Sequence, residues 1–200
     1  MHGRVILAGL LGGFVLFLWG TLSHTLLGLG DVGMKAIPNE QMVLSTMKSA
    51  MPEPGFYFFP WMDVPKNATD QQKMDSMKSF EQRYTSGPYG ILIYHPNGTI
   101  PLSPAKLAVE ITLNLAQGLI LAILVAISGL KKFQPKVGFV VLAGIFAAIT
   151  TNVEYWNWYG FPGVYTGSYI FDKIVGFLIV GLVIGVVTKN RTSSPVVSQI

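Results

Sequence analysis

Four stretches of this 200-residue sequence stay apolar over nearly the length a helix needs to cross about 30 Å of hydrocarbon, roughly 20 residues. They run from Val5 to Leu29, Leu107 to Leu130, Val137 to about Tyr155, and Tyr169 to Thr188. Inside lipid a backbone has no water to bond, so a spanning segment of this kind must satisfy its own N–H and C=O groups, and only a helix does so within one segment. Composition agrees: 50% of residues are hydrophobic and 12% charged, against about a quarter charged in a soluble domain. The expected class is an all-α membrane protein with four transmembrane helices. The third stretch runs into Asn152, Glu154 and the aromatic residues Tyr155, Trp156, Trp158 and Tyr159, which suit a membrane interface.

The first stretch follows Arg4, as the core of a secretory leader would, but it is longer than a leader. Leu26-Leu27-Gly28-Leu29-Gly30 passes into Asp31 without a small-x-small cleavage site, so an uncleaved anchor is expected. Basic residues in short loops set orientation. Lys131, Lys132 and Lys136 crowd the link between the second and third stretches, Lys189 and Arg191 follow the fourth, and Arg4 precedes the first. Both termini and the Lys131 to Lys136 loop are therefore expected on the cytoplasmic side, with Asp31 to Pro104 and Asn152 to Ser168 outside. The net charge of +4 is then mostly an orientation signal, and nucleic-acid binding drops out. The expected organisation is transmembrane helix 1 over 1–30, an extracytoplasmic cap over 31–104, transmembrane helices 2–4 over 105–190, and a cytoplasmic tail over 191–200.

Punctuation in the long outer segment predicts a small αβ cap between helices 1 and 2. Pro38 and Glu40 mark a helix start, with Met42, Val43, Met47 and Met51 on one face. Thr69 and Gln72 have the spacing of a capping box for a second helix, stopped near Ser86 by Gly87-Pro88. Phe56 to Phe59 and Tyr89 to Tyr94 have strand character. Two strands alone are marginal, so the cap is expected to lean on the membrane helices or on a partner. Phe56, Phe58, Phe59 and Trp61 would form its own core or a docking surface.

Polar groups within spans are costly and raise a functional question. Ser103, Lys106, Glu110, Asn114 and Gln117 fall at spacings of three and four, on one helical face expected to point inward. His24 with Ser23, Asn152 with Glu154, and Asp172 with Lys173 fall near the same end of the other stretches. The candidate polar cluster is thus His24, Glu110, Asn114, Asn152, Glu154 and Asp172. Three readings compete. One is a satisfied structural network in which Lys106 and Lys173 neutralise Glu110 or Asp172. The second is an outward-opening pocket for a small ligand such as a quinone or lipid headgroup. The third is a metal site using His24 with Glu110, Glu154 or Asp172.

The absence of cysteine excludes a thiol nucleophile, a disulfide and a Cys-ligated metal. With only His24 of the three histidines in a span, a bis-histidine haem has no second ligand in the bundle. His95 reads as a turn residue, and hydrolase, phosphate-loop and dinucleotide signatures are missing. Gly9 and Gly13 in the first stretch, and Gly181 and Gly185 in the fourth, open flat faces at similar depth, so helices 1 and 4 are expected to pack through them or one pair to face a partner subunit. Leu121 is expected to face lipid.

Several strings together, Leu22-Ser23-His24, Pro38-Asn39-Glu40, Phe56-Tyr57-Phe58-Phe59-Pro60, Tyr94-His95-Pro96 and above all Asn152-Val153-Glu154-Tyr155-Trp156-Asn157-Trp158-Tyr159-Gly160-Phe161-Pro162, give the chain a resemblance. It resembles an uncharacterised group of bacterial four-helix inner-membrane proteins, over nearly its whole length. The resemblance implies a bacterial inner membrane and four helices and transfers no site. The leading expectation is a non-catalytic accessory or assembly subunit of a larger membrane complex, with the lipid bilayer and other membrane subunits as partners. The alternative is a protein that binds a quinone, lipid or metal at the polar cluster, its cofactor unknown.

Overall fold

A computed structural model describes residues 2–189 of the chain; the tail 191–200, with Arg191 and Ser194, lies outside the described residues. The fold is mostly helical, in the order α1 (His2–Thr25), α2 (Glu40–Ala50), β1 (Gly55–Phe59), α3 (Asp70–Ser86), β2 (Gly90–Tyr94), α4 (Pro104–Ile127), α5 (Phe133–Ala148), α6 (Glu154–Tyr159) and α7 (Gly163–Val187). A π turn, Ile149–Val153, joins α5 to α6. Four helices are long and apolar enough to cross a membrane: Gly3–Thr25, Pro104–Ile127, Phe133–Tyr159 and Gly163–Val187.

The residues form two compact units. One holds the described residues up to 34, 101–157 and those from 161 onward; the other holds 35–100 with 158–160. The expected boundaries at 31 and 104 therefore move by a few residues. The short 3-10 turn Leu29–Asp31 stays with the helices because Ser168 Oγ of α7 donates to the Leu29 carbonyl at 2.9 Å.

In the helical unit, α1 packs against α4 on one side and α7 on the other, and α5 lies along α7. Ala8, Leu16, Leu121, Val125, Val140, Phe177, Val180 and Ile184 are buried in one shared cluster. Leu121 is 5% exposed, which corrects the expectation that it faces lipid. Helices α5 and α7 begin before their apolar stretches, since polar residues near an end interrupt a hydropathy window but not a helix. Lys136, inside the first turn of α5, is one of these. It is buried, and its Nζ donates to the carbonyl and the hydroxyl of Thr188 at 2.9 and 3.0 Å, supplying partners at the carboxyl end of α7. Ser103 caps α4, its Oγ accepting from the Lys106 N–H at 3.3 Å, with Pro104 in the first turn.

The glycines pack differently from expectation. A β-carbon on Gly9 would meet Leu119, and one on Gly13 would meet Asn114 and Leu115, all of α4. On Gly181 and Gly185 it would meet Val137 and Phe133 of α5. The two pairs thus serve α1 with α4 and α5 with α7, and do not meet each other. The approach of α1 to α7 uses Gly12 instead, whose β-carbon position is 3.2 Å from Val180 Cγ1. Gly12 sits about 100° around the helix from Gly13, on a separate face.

The second unit contains a two-stranded antiparallel sheet in which Phe56 pairs with Ile93 and Phe58 with Ile91. Alternation puts these four side chains on one face. Helix α3 starts with the expected capping box: the Gln72 N–H donates to Thr69 Oγ1 at 3.3 Å, and the Thr69 N–H donates to Gln72 Oε1 at 2.8 Å. Its Tyr84 stacks on Phe58 at 6.4 Å, and Arg83 Nη2 donates to the Trp61 carbonyl at 2.9 Å. The other half of that face stays open, with Phe56 62% and Ile93 70% exposed. No residue of α2 or α3 is fully buried.

Candidate functional site

The candidate polar residues lie toward one end of the helical unit, but most turn to their own helix. Asn114 Nδ2 donates to the Glu110 carbonyl at 2.8 Å and to Glu110 Oε1 at 2.7 Å. Asn114 is buried and Glu110 exposed, so the expected inward-pointing face is inward only at its deeper residue. Asn152 Nδ2 donates to the Ala148 carbonyl at 3.2 Å and to Thr151 Oγ1 at 2.9 Å. His24 Nδ1 lies 3.0 Å from the Gly20 carbonyl and 2.9 Å from Ser23 Oγ. Glu154 is exposed in the first turn of α6. A side chain that bonds its own backbone four residues back is satisfied without any partner helix.

Beyond Asn114, whose backbone stands against Gly13 of α1, two of these residues meet another helix. His24 stands edge-on to Tyr169 of α7, with ring centroids 6.1 Å apart, and the ring edge fills the space where Gly30 has no side chain. Asp172 is 7% exposed, and its backbone carbonyl accepts from Trp19 Nε1 of α1 at 3.2 Å. Its Oδ1 has no hydrogen-bond partner, and neither has Oγ1 of Thr166. Lys173, expected to neutralise it, makes no ion pair among the described residues. Tyr169 lies within electrostatic reach of both Asp172 and Asp31.

Sequence reasoning missed an aromatic row that leads toward this carboxyl. Tyr155 stacks on Phe161 at 5.5 Å, Phe161 lies 5.5 Å from Tyr165, and Tyr165 lies 4.4 Å from Tyr169. Tyr165 and Tyr169 share one side of α7 at four-residue spacing, and Phe161 precedes the helix by two residues. The span assigned from apolarity began only at Tyr169, so that spacing was not read as helical.

Among the described residues no group of three or more His, Asp or Glu side chains is placed to hold a metal ion; Glu110, Glu154 and His24 belong to three different helices. What the arrangement offers is a single buried carboxyl with aromatic neighbours. No protein-family model, curated protein or solved structure matches the chain.

Proposed function

We propose that the chain is a multi-pass protein of a bacterial inner membrane, serving as a non-catalytic accessory or assembly subunit of a larger membrane complex. The observation that carries this reading is the half-covered sheet of the second unit. Tyr84 covers the Phe58 end, while the Phe56 and Ile93 pair is left open, 62% and 70% exposed. An uncovered apolar pair on a two-stranded sheet, each strand of which has a free edge, is the kind of surface that another subunit covers. The local satisfaction of Asn114, Asn152 and His24 supports the same reading, because it leaves little chemistry for a reaction. In this reading both termini and the Lys131 to Lys136 loop face the cytoplasm, as the basic residues favour, and the second unit is the extracytoplasmic cap.

The test is a photo-crosslinking residue in place of Ile93, activated in the native bacterial membrane. One crosslinked species of defined mass is expected. If no species forms and Ile93→Asp accumulates and assembles as the parent does, the subunit reading fails.

A second reading has its own support. The unpartnered Asp172 Oδ1 and Thr166 Oγ1, beside Tyr165 and Tyr169, favour a small ligand taken at that end of α7, with a quinone or lipid headgroup as the class. A purified protein carrying a stoichiometric small molecule lost on Asp172→Leu would place this reading first.

A further inference from the structure

At the opposite end of the helical unit, beneath the Lys131 to Lys136 loop, is a cleft of about 110 Å³ to which all four long helices or their ends contribute. Its walls are apolar where Val5 of α1 and Val125 and Ala126 of α4 reach it, and basic where Lys131 and Lys136 do; Thr188 closes it behind Lys136. The volume is several times the ~10–15 Å³ that one water needs. It admits a phosphate group.

Lys136 gives the cleft its chemistry. An ammonium has three N–H donors and no acceptor, and two of them go to the carbonyl and hydroxyl of Thr188. The residue is 5% exposed, so the cleft is what remains for the third donor. Lys131 brings a second positive charge to the same wall, and Lys132 lies next to it in sequence, exposed. Among the described residues no acidic side chain lines the cleft. A buried cation with a free donor, a second cation and an apolar approach together suit an anion that arrives on a hydrocarbon tail.

We propose that this cleft binds the phosphodiester of an anionic phospholipid, with Lys136 Nζ and Lys131 Nζ on its oxygens and the acyl chains along Val5, Val125 and Ala126. The same charges would accept inorganic phosphate; the lipid is favoured because the rest of the wall is hydrocarbon and the site lies where four apolar helices end. Basic pockets between spans on the cytoplasmic side are a recurrent way of holding such headgroups. The inference is independent of the accessory-subunit reading and rests only on the four helices entering a bilayer.

The full chain, purified in mild detergent and offered an equimolar mixture of phosphatidylglycerol and phosphatidylcholine, is examined by native mass spectrometry. One phosphatidylglycerol retained in preference to phosphatidylcholine is expected. Lys131→Gln should weaken it about fivefold, the effect of one basic residue near a charged lipid surface, and Ala126→Phe should abolish it by filling the cleft. Lys35→Gln, which changes net charge equally but lies in the other unit, should retain it. Equal retention of both lipids, or unchanged retention in Lys131→Gln and Ala126→Phe with both variants folded, overturns the proposal. Displacement of the lipid by millimolar inorganic phosphate assigns the cleft to the free anion and overturns it as well. Should Ala126→Phe fail to fold, Lys131→Gln against Lys35→Gln alone decides.

Discussion

Gly118 of α4 stands directly against the backbone of Gly13 in α1: a β-carbon on Gly118 would fall on the Gly13 nitrogen and the Gly9 carbonyl. The first and second spans therefore touch main chain to main chain, with Gly9 and Gly13 on one helix and Gly118 on the other. In lipid, where hydrophobic burial between helices is weak, such close approach supplies much of the association through packing. This contact also brings Asn114 to α1, since a β-carbon on Gly13 would stand 2.5 Å from the Asn114 carbonyl.

Gly118→Ala should separate α1 from α4, because the added methyl meets backbone, which cannot rotate aside. Overpacking of this kind costs roughly 1 to 3 kcal/mol. The expected result is a lower melting temperature and a smaller yield of folded monomer in detergent. Gly138→Ala, with nothing within 4 Å of the added carbon, should match the parent; equal behaviour of the two variants would show that the glycine contact is not a packing determinant.

Leu121→Ala should be more damaging than Glu110→Leu, the reverse of what the sequence suggests. Leu121 is in the buried cluster, and leucine truncation in a core costs about 2 to 5 kcal/mol. Glu110→Leu removes one bond to Asn114, but Asn114 Nδ2 keeps the residue 110 carbonyl as its acceptor, so the loss is about 1 kcal/mol. Thermal unfolding of the two purified variants measures the order directly.

That reversal shows which levels of the structure were readable. The four long apolar helices were legible because their length and apolarity run through the sequence without interruption, and the Thr69 to Gln72 capping box because it is closed within one turn. The side a helix turns to its neighbours was legible only in part: Leu121 continues, four residues on, the face of Asn114 and Gln117, yet an apolar side chain there reads equally as core or as lipid-facing. The glycine spacing identified flat faces without naming their partners, which depend on the order of helices around the bundle. For the polar residues, spacing correctly paired Glu110 with Asn114, but it could not reveal that most of the set is satisfied within its own helix. Asp172 was recognised by its cost, whereas its lack of a partner needed three dimensions.

Topology is checked by single cysteines in a chain that has none of its own. Lys48→Cys, Lys78→Cys and Gly163→Cys should react with an impermeant thiol reagent applied to intact cells, and Gln134→Cys should react only after lysis. All four positions are exposed, so protection reports the side of the membrane and not burial. Labelling of residue 134 from outside would invert the orientation and move the basic cleft to the outer leaflet.

The sharpest prediction concerns Asp172, whose Oδ1 is buried without a partner, as is Thr166 Oγ1 about 9 Å along the same helix. An unsatisfied buried polar group costs about 1 to 3 kcal/mol, more if it is charged, and no lysine is paired with it. Asp172→Leu removes the oxygens while keeping a side chain large enough to fill the space beside Trp19. The purified chain should therefore gain stability, seen as a higher melting temperature, whereas Asp172→Asn, which retains one unsatisfied oxygen, should gain less. A fall in stability with Leu would mean that the carboxyl is held by something the chain itself does not supply. It would then count for the small-ligand reading, and loss of the parent's advantage once bound small molecules are stripped from both proteins would locate that missing partner.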